Sequence, residues 1–446
     1  MTELTEGKPW ARLAVFAAPI ALGRLFQSMY SIVDTKIVGL LLGESPLAAV
    51  SSVSTLCHLL NVLLDGFALG CSVIMAMYMG SGDRERMKRS FALSILLSLG
   101  LAGILTLILG SCLVQILTML QIPPAEWIMA GKYLRIMILG LIITSANCLL
   151  TNGVRSTGNS WTPLLILGVS TVTNIVLDFV LIGELHTGVS GAAAGTIIAQ
   201  SVSVGIYLVY IYHRVPMLQI AKKHFTRDLR LASELFRSGM AMGLQFCIVN
   251  IGTVALQVAI NAMGTKIIVA HTAARRFFEL MYIPYASLGF AIATYTATNY
   301  GAGKIGRIRE GYSAALQIML VWSVAVTAMG EFFPGLLIGY FASSDHSEIL
   351  LWGSWYLRVE MPALALCGVV VITRNLLQGI GQRSMPLASS ILELIIKVVC
   401  AWISLQVMGY WGIIISEPLS WVFMSVLLLG ATWQCRQELG LRMEKR

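Results

Sequence analysis

The sequence predicts an all-α membrane protein of twelve transmembrane helices, built as two six-helix halves. Three observations carry that reading: a composition too apolar for a water-exposed surface, a string of apolar segments of membrane-spanning length, and one internal repeat at half the chain length. Of 446 residues, 57% are hydrophobic and 12% charged. Soluble chains carry roughly 45–50% apolar and 25% charged residues. A soluble domain, a disordered chain and a secreted disulfide scaffold are therefore excluded. The net charge of +9 implies no nucleic-acid partner, because the Lys and Arg sit in short connections between apolar segments, where membrane orientation places them.

A bilayer core of about 30 Å needs roughly 20 helical residues. Twelve segments meet that length: 10–42, 46–79, 88–119, 126–152, 161–183, 189–213, 232–262, 267–300, 310–341, 347–378, 386–408 and 411–434. They are continuously apolar and do not alternate, which excludes a β-barrel. The first is too long for the apolar core of a signal peptide and reads as a membrane helix. Several exceed 30 residues, so tilt or kinks are expected.

Most of the 31 Lys and Arg fall in the termini and the even-numbered connections, including 80–89, 214–231 and 301–309. The odd-numbered connections hold Lys132 and Lys266 with Glu44, Glu126, Glu184, Asp345 and Glu348. This asymmetry predicts that both termini are cytoplasmic, and a plasma (inner) membrane location is expected. The eight cysteines form no CxxC pair and read as small apolar-segment residues.

An offset of about 221–223 residues brings the halves into register. Gly80-Ser-Gly82 meets Gly301-Ala-Gly303, Asn152 meets Asn375, Gly158 and Pro163 meet Gly381 and Pro386, and Gly191 meets Gly412. The expected organisation is a first lobe over 1–213, a cytoplasmic linker over 214–231 and a second lobe over 232–446. Parallel repeats of this kind are a transporter feature.

Ionisable groups inside membrane spans are expensive and therefore candidates for function. Asp34 lies about 24 residues into the first segment, about 36 Å along a helix, with Tyr30 one turn earlier on the same face. In the fifth segment Asn174 precedes Asp178 by one turn, and Thr196 lies in the sixth. All five fall in the outward half of the first lobe. Such an oxygen-rich set suits a hard cation such as Na⁺, and two adjacent acids suit a shared proton. In the repeat register Asp34, Asn174, Asp178 and Thr196 meet Val254, Lys397, Ala401 and Glu417, so the cluster is not copied.

The second lobe carries other charges: Arg275, Arg276, Glu279, Arg358, Glu360, Arg374, Glu393 and Lys397. Arg275 with Glu279 and Glu393 with Lys397 are spaced for intrahelical pairs. Candidate substrate-contacting residues are Arg24, Gln27, Gln245, Arg275, Glu279 and Arg374. Asp65 is a separate candidate, and Lys36 has no assigned role. Pro19, in the helix of Asp34, removes a backbone donor and permits a bend.

At these residues the sequence resembles the multidrug and toxic compound extrusion (MATE) family of the multidrug/oligosaccharidyl-lipid/polysaccharide exporters. The carrying segments are Leu25-Phe-Gln-Ser-Met-Tyr-Ser-Ile-Val-Asp34, Arg155-Ser-Thr-Gly-Asn-Ser-Trp-Thr-Pro163, Asn174-Ile-Val-Leu-Asp178, Gly188-Val-Ser-Gly-Ala192 and Asn299-Tyr-Gly-Ala-Gly-Lys304. The resemblance implies two pseudo-symmetric six-helix bundles around a central cleft. It also implies export of organic, often cationic compounds in exchange for H⁺ or Na⁺, with no cofactor. The family's first-lobe coupling site matches Asp34, Asn174, Asp178 and Thr196; its tyrosine matches Tyr30 and its bending proline Pro19. The branch with second-lobe acids is not matched, since Gln245 and Cys367 stand at those places, which suggests the DinF-like branch. Small organic substrates, contact with membrane lipid and a monomeric state are expected.

Other readings stay open. A lipid-linked oligosaccharide flippase or a dedicated metabolite exporter of the same superfamily is one. A major facilitator transporter shares the twelve-helix frame, but the basic run after Gly82 lacks that family's internal glycine. An enzyme is disfavoured: the six histidines are scattered, and neither HExxH nor GxxxxGK[ST] occurs. The missing nucleotide loop also makes the transport secondary.

Overall fold

The computed structural model describes residues 4–341 and 347–443, so Asp345 lies outside the described residues. Among the described residues the regular structure is helical throughout. In chain order the helices are α1 (Pro9–Leu42), α2 (Glu44–Ser81), α3 (Arg84–Ser111), α4 (Leu113–Met119), α5 (Trp127–Leu139), α6 (Leu141–Ser156), α7 (Trp161–Asp178) and α8 (Val189–Arg214), then α9 (Leu229–Asn261), α10 (Thr265–Gly301), α11 (Ile305–Phe332), α12 (Pro334–Phe341), α13 (Ser347–Gly379), α14 (Ser384–Ile403), α15 (Tyr410–Ile414) and α16 (Ser416–Met443).

Among the described residues eleven helical stretches are long and apolar enough to cross a membrane, and α5 with α6, bent by 47°, make a twelfth if counted as one span. The bend falls at Gly140. A Cβ there would stand 2.1 Å from the Ile197 side chain of α8, so only glycine lets α8 approach the break. The outer faces expose Leu107, Val172, Val321 and Val426 at 62–75%. A bare apolar face of this kind belongs against lipid tails.

The internal repeat is written in the backbone. Gly43, Gly82, Gly158 and Gly188 adopt positive φ, and so do Gly264, Gly303, Gly381 and Gly409, their counterparts in the repeat register. The match extends to an irregularity. α7 runs into a π-helical turn at Phe179–Glu184, and α14 into another at Ser404–Met408. Each turn is followed by a glycine in nearly the same conformation, Gly188 at φ 64°, ψ −146° and Gly409 at φ 55°, ψ −143°.

The helices fall into two compact units, one of Leu22–Gly243 and one of Glu3–Ala21 with Leu244–Arg446, the boundaries lying inside α1 and α9. In the first unit α2 packs on the early turns of α9 through facing glycines. A Cβ at Gly70 would stand 2.3 Å from the Ser238 carbonyl oxygen, and one at Gly66 would stand 2.7 Å from Gly243 Cα. Ser238 Oγ donates to the Gly70 carbonyl at 2.8 Å. Small residues let helix backbones meet where no hydrophobic force separates protein from lipid. A core of Phe67, Met75, Phe91, Leu149, Tyr207 and Leu235 lies beside this contact. The segment 214–231 is pinned to the same unit: Val215 and Leu218 are fully buried, and His224 Nε2 lies 3.4 Å from Glu85.

In the second unit α10 and α13 pack equally closely, with Gly379 against Thr296 and Gly289 against Val371. Arg307 and Asn299 tie down the chain before α1. Arg307 donates to the Gly7 carbonyl at 2.9 Å, and Asn299 to the Leu4 carbonyl at 3.2 Å.

Gly70→Leu is expected to lower stability by about 3 kcal/mol or more, because the added atoms meet backbone rather than a movable side chain. Gly100→Leu, at an exposed position where an added Cβ meets nothing within 4 Å, is expected to leave the melting temperature in detergent unchanged.

Candidate functional site

The end of α7 places Asn174 and Asp178 one turn apart, facing α8. Gly195 of α8 makes the room: a Cβ there would stand 2.7 Å from Asp178 Oδ1 and 3.2 Å from Asn174 Nδ2. Asn174 Nδ2 donates to Asp178 Oδ1 at 3.3 Å. Asp34 of α1 enters the same cluster and lies beside Asp178. Tyr30, one turn before it, lies beside Thr196, whose hydroxyl donates to the Ala192 carbonyl at 3.1 Å. The five residues singled out from the sequence thus meet in one place.

Tyr133 of α5 lies within electrostatic range of the two acids. The sequence reading missed it, as it missed the role of Gly195. Tyr133 also packs against the small cluster of Val38, Ile182 and Ala192 that walls the site. No local motif marks either residue; only the meeting of α5, α7 and α8 does.

The electrostatics of this cluster are unbalanced. Asp34 Oδ1, Asn174 Oδ1 and Asp178 Oδ2 are buried oxygens with no hydrogen-bond partner among the described residues. Asp178 is fully buried and Asn174 nearly so. Two carboxyl groups in contact repel unless a proton or a cation lies between them. Three orphaned oxygens within one cluster suit either, through hard-ion coordination or a shared proton. Among the described residues no three His, Cys, Asp or Glu converge in the manner of a transition-metal site.

The second unit holds a cluster of a different kind. Glu417 of α16 accepts from Arg275 of α10 at 2.8 Å and from Lys397 of α14 at 3.0 Å. Lys397 also meets Glu393 at 3.0 Å, and Glu393 meets Arg374 of α13 at 3.4 Å. The result is a buried chain of alternating charge, Arg275–Glu417–Lys397–Glu393–Arg374. Both spaced pairs expected from the sequence form, Arg275 with Glu279 at 3.6 Å and Lys397 with Glu393. What spacing alone did not reveal is Glu417, which joins them across helices. Beside this chain lies a cavity of about 100 Å³ lined by His271, Arg275, Tyr356, Glu360 and Glu417.

The other candidates are dispersed. Pro19 is buried, and α1 continues through it. Arg24 is half-buried, Gln27 and Lys36 are exposed, and Glu279 is exposed at the edge of the charge chain. Gln245 and Arg374 are buried in the second unit. Gln245 accepts from Gln378 at 2.5 Å, and Arg374 donates to Ser389 Oγ at 3.0 Å. Asp65 accepts from Asn152 at 2.9 Å, a separate pair in the first unit.

The sequence profile of the MatE family matches the chain twice, over residues 19–180 and 241–403. The chain belongs to the MatE family. It is a multi-pass membrane transporter and not an enzyme. The double match falls at the same offset as the repeat in the backbone. Relatives include the probable multidrug resistance protein YoeA of Bacillus subtilis, 24% identical over 95% of this chain and 94% of that one. The multidrug export protein MepA of Staphylococcus aureus is 23% identical over 91% of this chain and 90% of its own. Among solved structures, a MOP superfamily transporter from Pyrococcus furiosus superposes with a TM-score of 0.89 at 23% identity, covering 98% of both chains. An outward-facing MATE family multidrug resistance transporter gives 0.88 at 23% identity, covering 99% of this chain and 98% of that one.

Within this MatE chain, Glu417→Ala is expected to cost about 3–5 kcal/mol, because it strips a partner from two buried cations at once. Thermal unfolding of the purified protein measures it, with Glu279→Ala, at the exposed edge of the same chain, expected to fall below about 1 kcal/mol.

Proposed function

We propose that the protein is a secondary antiporter that exports organic, often cationic and amphipathic compounds in exchange for H⁺ or Na⁺ by alternating access. The observation that carries this reading is the set of orphaned buried oxygens on Asp34, Asn174 and Asp178. A membrane protein keeps such a costly group where an ion or proton comes and goes. The names of YoeA and MepA support a drug-like substrate class.

In this mechanism the coupling ion binds Asp34 and Asp178, with Asn174, Thr196 and Tyr30 completing its surroundings. Filling the site removes the repulsion between the two acids and lets α1 tighten against α7. Pro19, with one backbone hydrogen bond fewer, is where α1 can bend. The working parts are the lobes 1–213 and 232–446 with the connection 214–231, in a plasma membrane with both termini cytoplasmic. Gln245 and Cys367, in place of second-lobe acids, favour the DinF-like branch, and one copy of the chain suffices.

The test is efflux of a fluorescent lipophilic cation from proteoliposomes under an imposed pH gradient or an imposed Na⁺ gradient. Wild type is expected to respond to at least one. Asp34→Asn and Asp178→Asn are each expected to lose at least ten-fold of that gradient-driven rate. Wild-type rates in either variant would overturn the mechanism. No dye movement under either gradient would redirect the reading to a dedicated metabolite or lipid-linked exporter.

A further inference from the structure

The repeat allows the two buried clusters to be superimposed residue by residue. Asn174 lies thirteen residues after the start of α7 at Trp161, and Lys397 thirteen after the start of α14 at Ser384. Thr196 follows Gly188 by eight residues, and Glu417 follows Gly409 by eight. Both helices then break into the same π-helical turn. So Lys397 and Glu417 occupy the backbone positions that Asn174 and Thr196 occupy in the first unit.

The contents of the two positions are complementary. The first unit has acceptor oxygens lacking a donor. The second has a cation of its own: Lys397 Nζ bridges Glu393 and Glu417 at 3.0 Å each, with its side chain only 3% exposed. Each of those carboxylates spends its other oxygen on an arginine, Glu393 on Arg374 and Glu417 on Arg275. Nothing in this chain of charges is left for a diffusing ion to satisfy.

We propose that Lys397 is a tethered cation, holding in the second unit the place that the exchangeable coupling ion holds in the first. The place between Glu393 and Glu417 is thereby kept permanently filled, and a diffusing ion finds no room between these two carboxylates. This rests on the coupling reading above for its meaning in transport. The occupancy of the site by Lys397 stands on geometry alone. Removing the ammonium should convert a closed charge chain into a second cation site between Glu393 and Glu417.

The experiment is chemical rescue in the background Asp34→Asn/Asp178→Asn, which silences the first cluster. Lys397→Ala is titrated with Na⁺ or ethylammonium, with tetramethylammonium, too bulky and without N–H donors, at equal ionic strength as the control. The expected result is a saturable rise of several degrees in melting temperature with Na⁺ or ethylammonium and not with tetramethylammonium. That rise should disappear in Lys397→Ala/Glu393→Gln, which lacks one wall of the cage. Should Lys397→Ala fail to fold, Lys397→Gln, which keeps the length and a donor, is expected to gain the same cation response. Absence of a cation-specific rise in every Lys397 variant that folds, or its persistence after Glu393→Gln, would overturn the proposal. Because the background lacks both acids, the result does not depend on whether Asp34 and Asp178 couple transport, which the efflux assay tests separately.

Discussion

The constraint on which the structure depends is that a polar group in hydrocarbon must find a partner inside the protein. It explains why the chain is all helix, since helices satisfy their own backbone. It explains the close glycine contacts of α2 with α9 and of α10 with α13, since lipid tails offer no hydrophobic force to hold helices together. It also makes exceptions informative. Asp34, Asn174 and Asp178 violate the rule within one cluster, whereas Arg275, Glu417, Lys397, Glu393 and Arg374 obey it at every link. The same backbone supports both, so the difference lies in side chains alone.

A duplicated backbone with unequal contents divides labour. A buried ion pair adds little net stability over apolar packing, because desolvation offsets the Coulombic gain. What such a chain supplies is definite position: four helices, α10, α13, α14 and α16, are tied at fixed points. The first unit keeps an unfilled arrangement, in which Asp178 packs closely on Gly195 while oxygens of Asp34, Asn174 and Asp178 are left without a partner among the described residues. An element that must respond to an ion needs acceptors left open to it, and an element that must not respond is better filled.

Much of this was legible in the sequence. Span positions followed from unbroken apolar runs, and the repeat from paired glycines that prove to share positive φ. The first-unit cluster was legible because helical spacing puts Tyr30 with Asp34, and Asn174 with Asp178, on single faces. Tyr133 and Gly195 were not, because their roles arise from the meeting of three helices, and one glycine among 41 carries no local signal. The bridging role of Glu417 was hidden for the same reason: spacing along α10 or α14 pairs neighbours on one helix and says nothing of a carboxylate arriving from another. The partners of Gln245 and Arg374, Gln378 and Ser389, were hidden too, because a sequence does not show which side chains will reach each other.

The central claim is that exchangeable charge resides in the Asp34–Asp178 cluster. Infrared difference spectroscopy of the reconstituted protein tests it directly, by following carboxyl bands on a pH step or on addition of Na⁺. Wild type is predicted to give a carboxyl change that is abolished in the Asp34→Asn/Asp178→Asn variant. A carboxyl change of undiminished size in that variant would place the titrating or ion-binding group elsewhere and contradict the account.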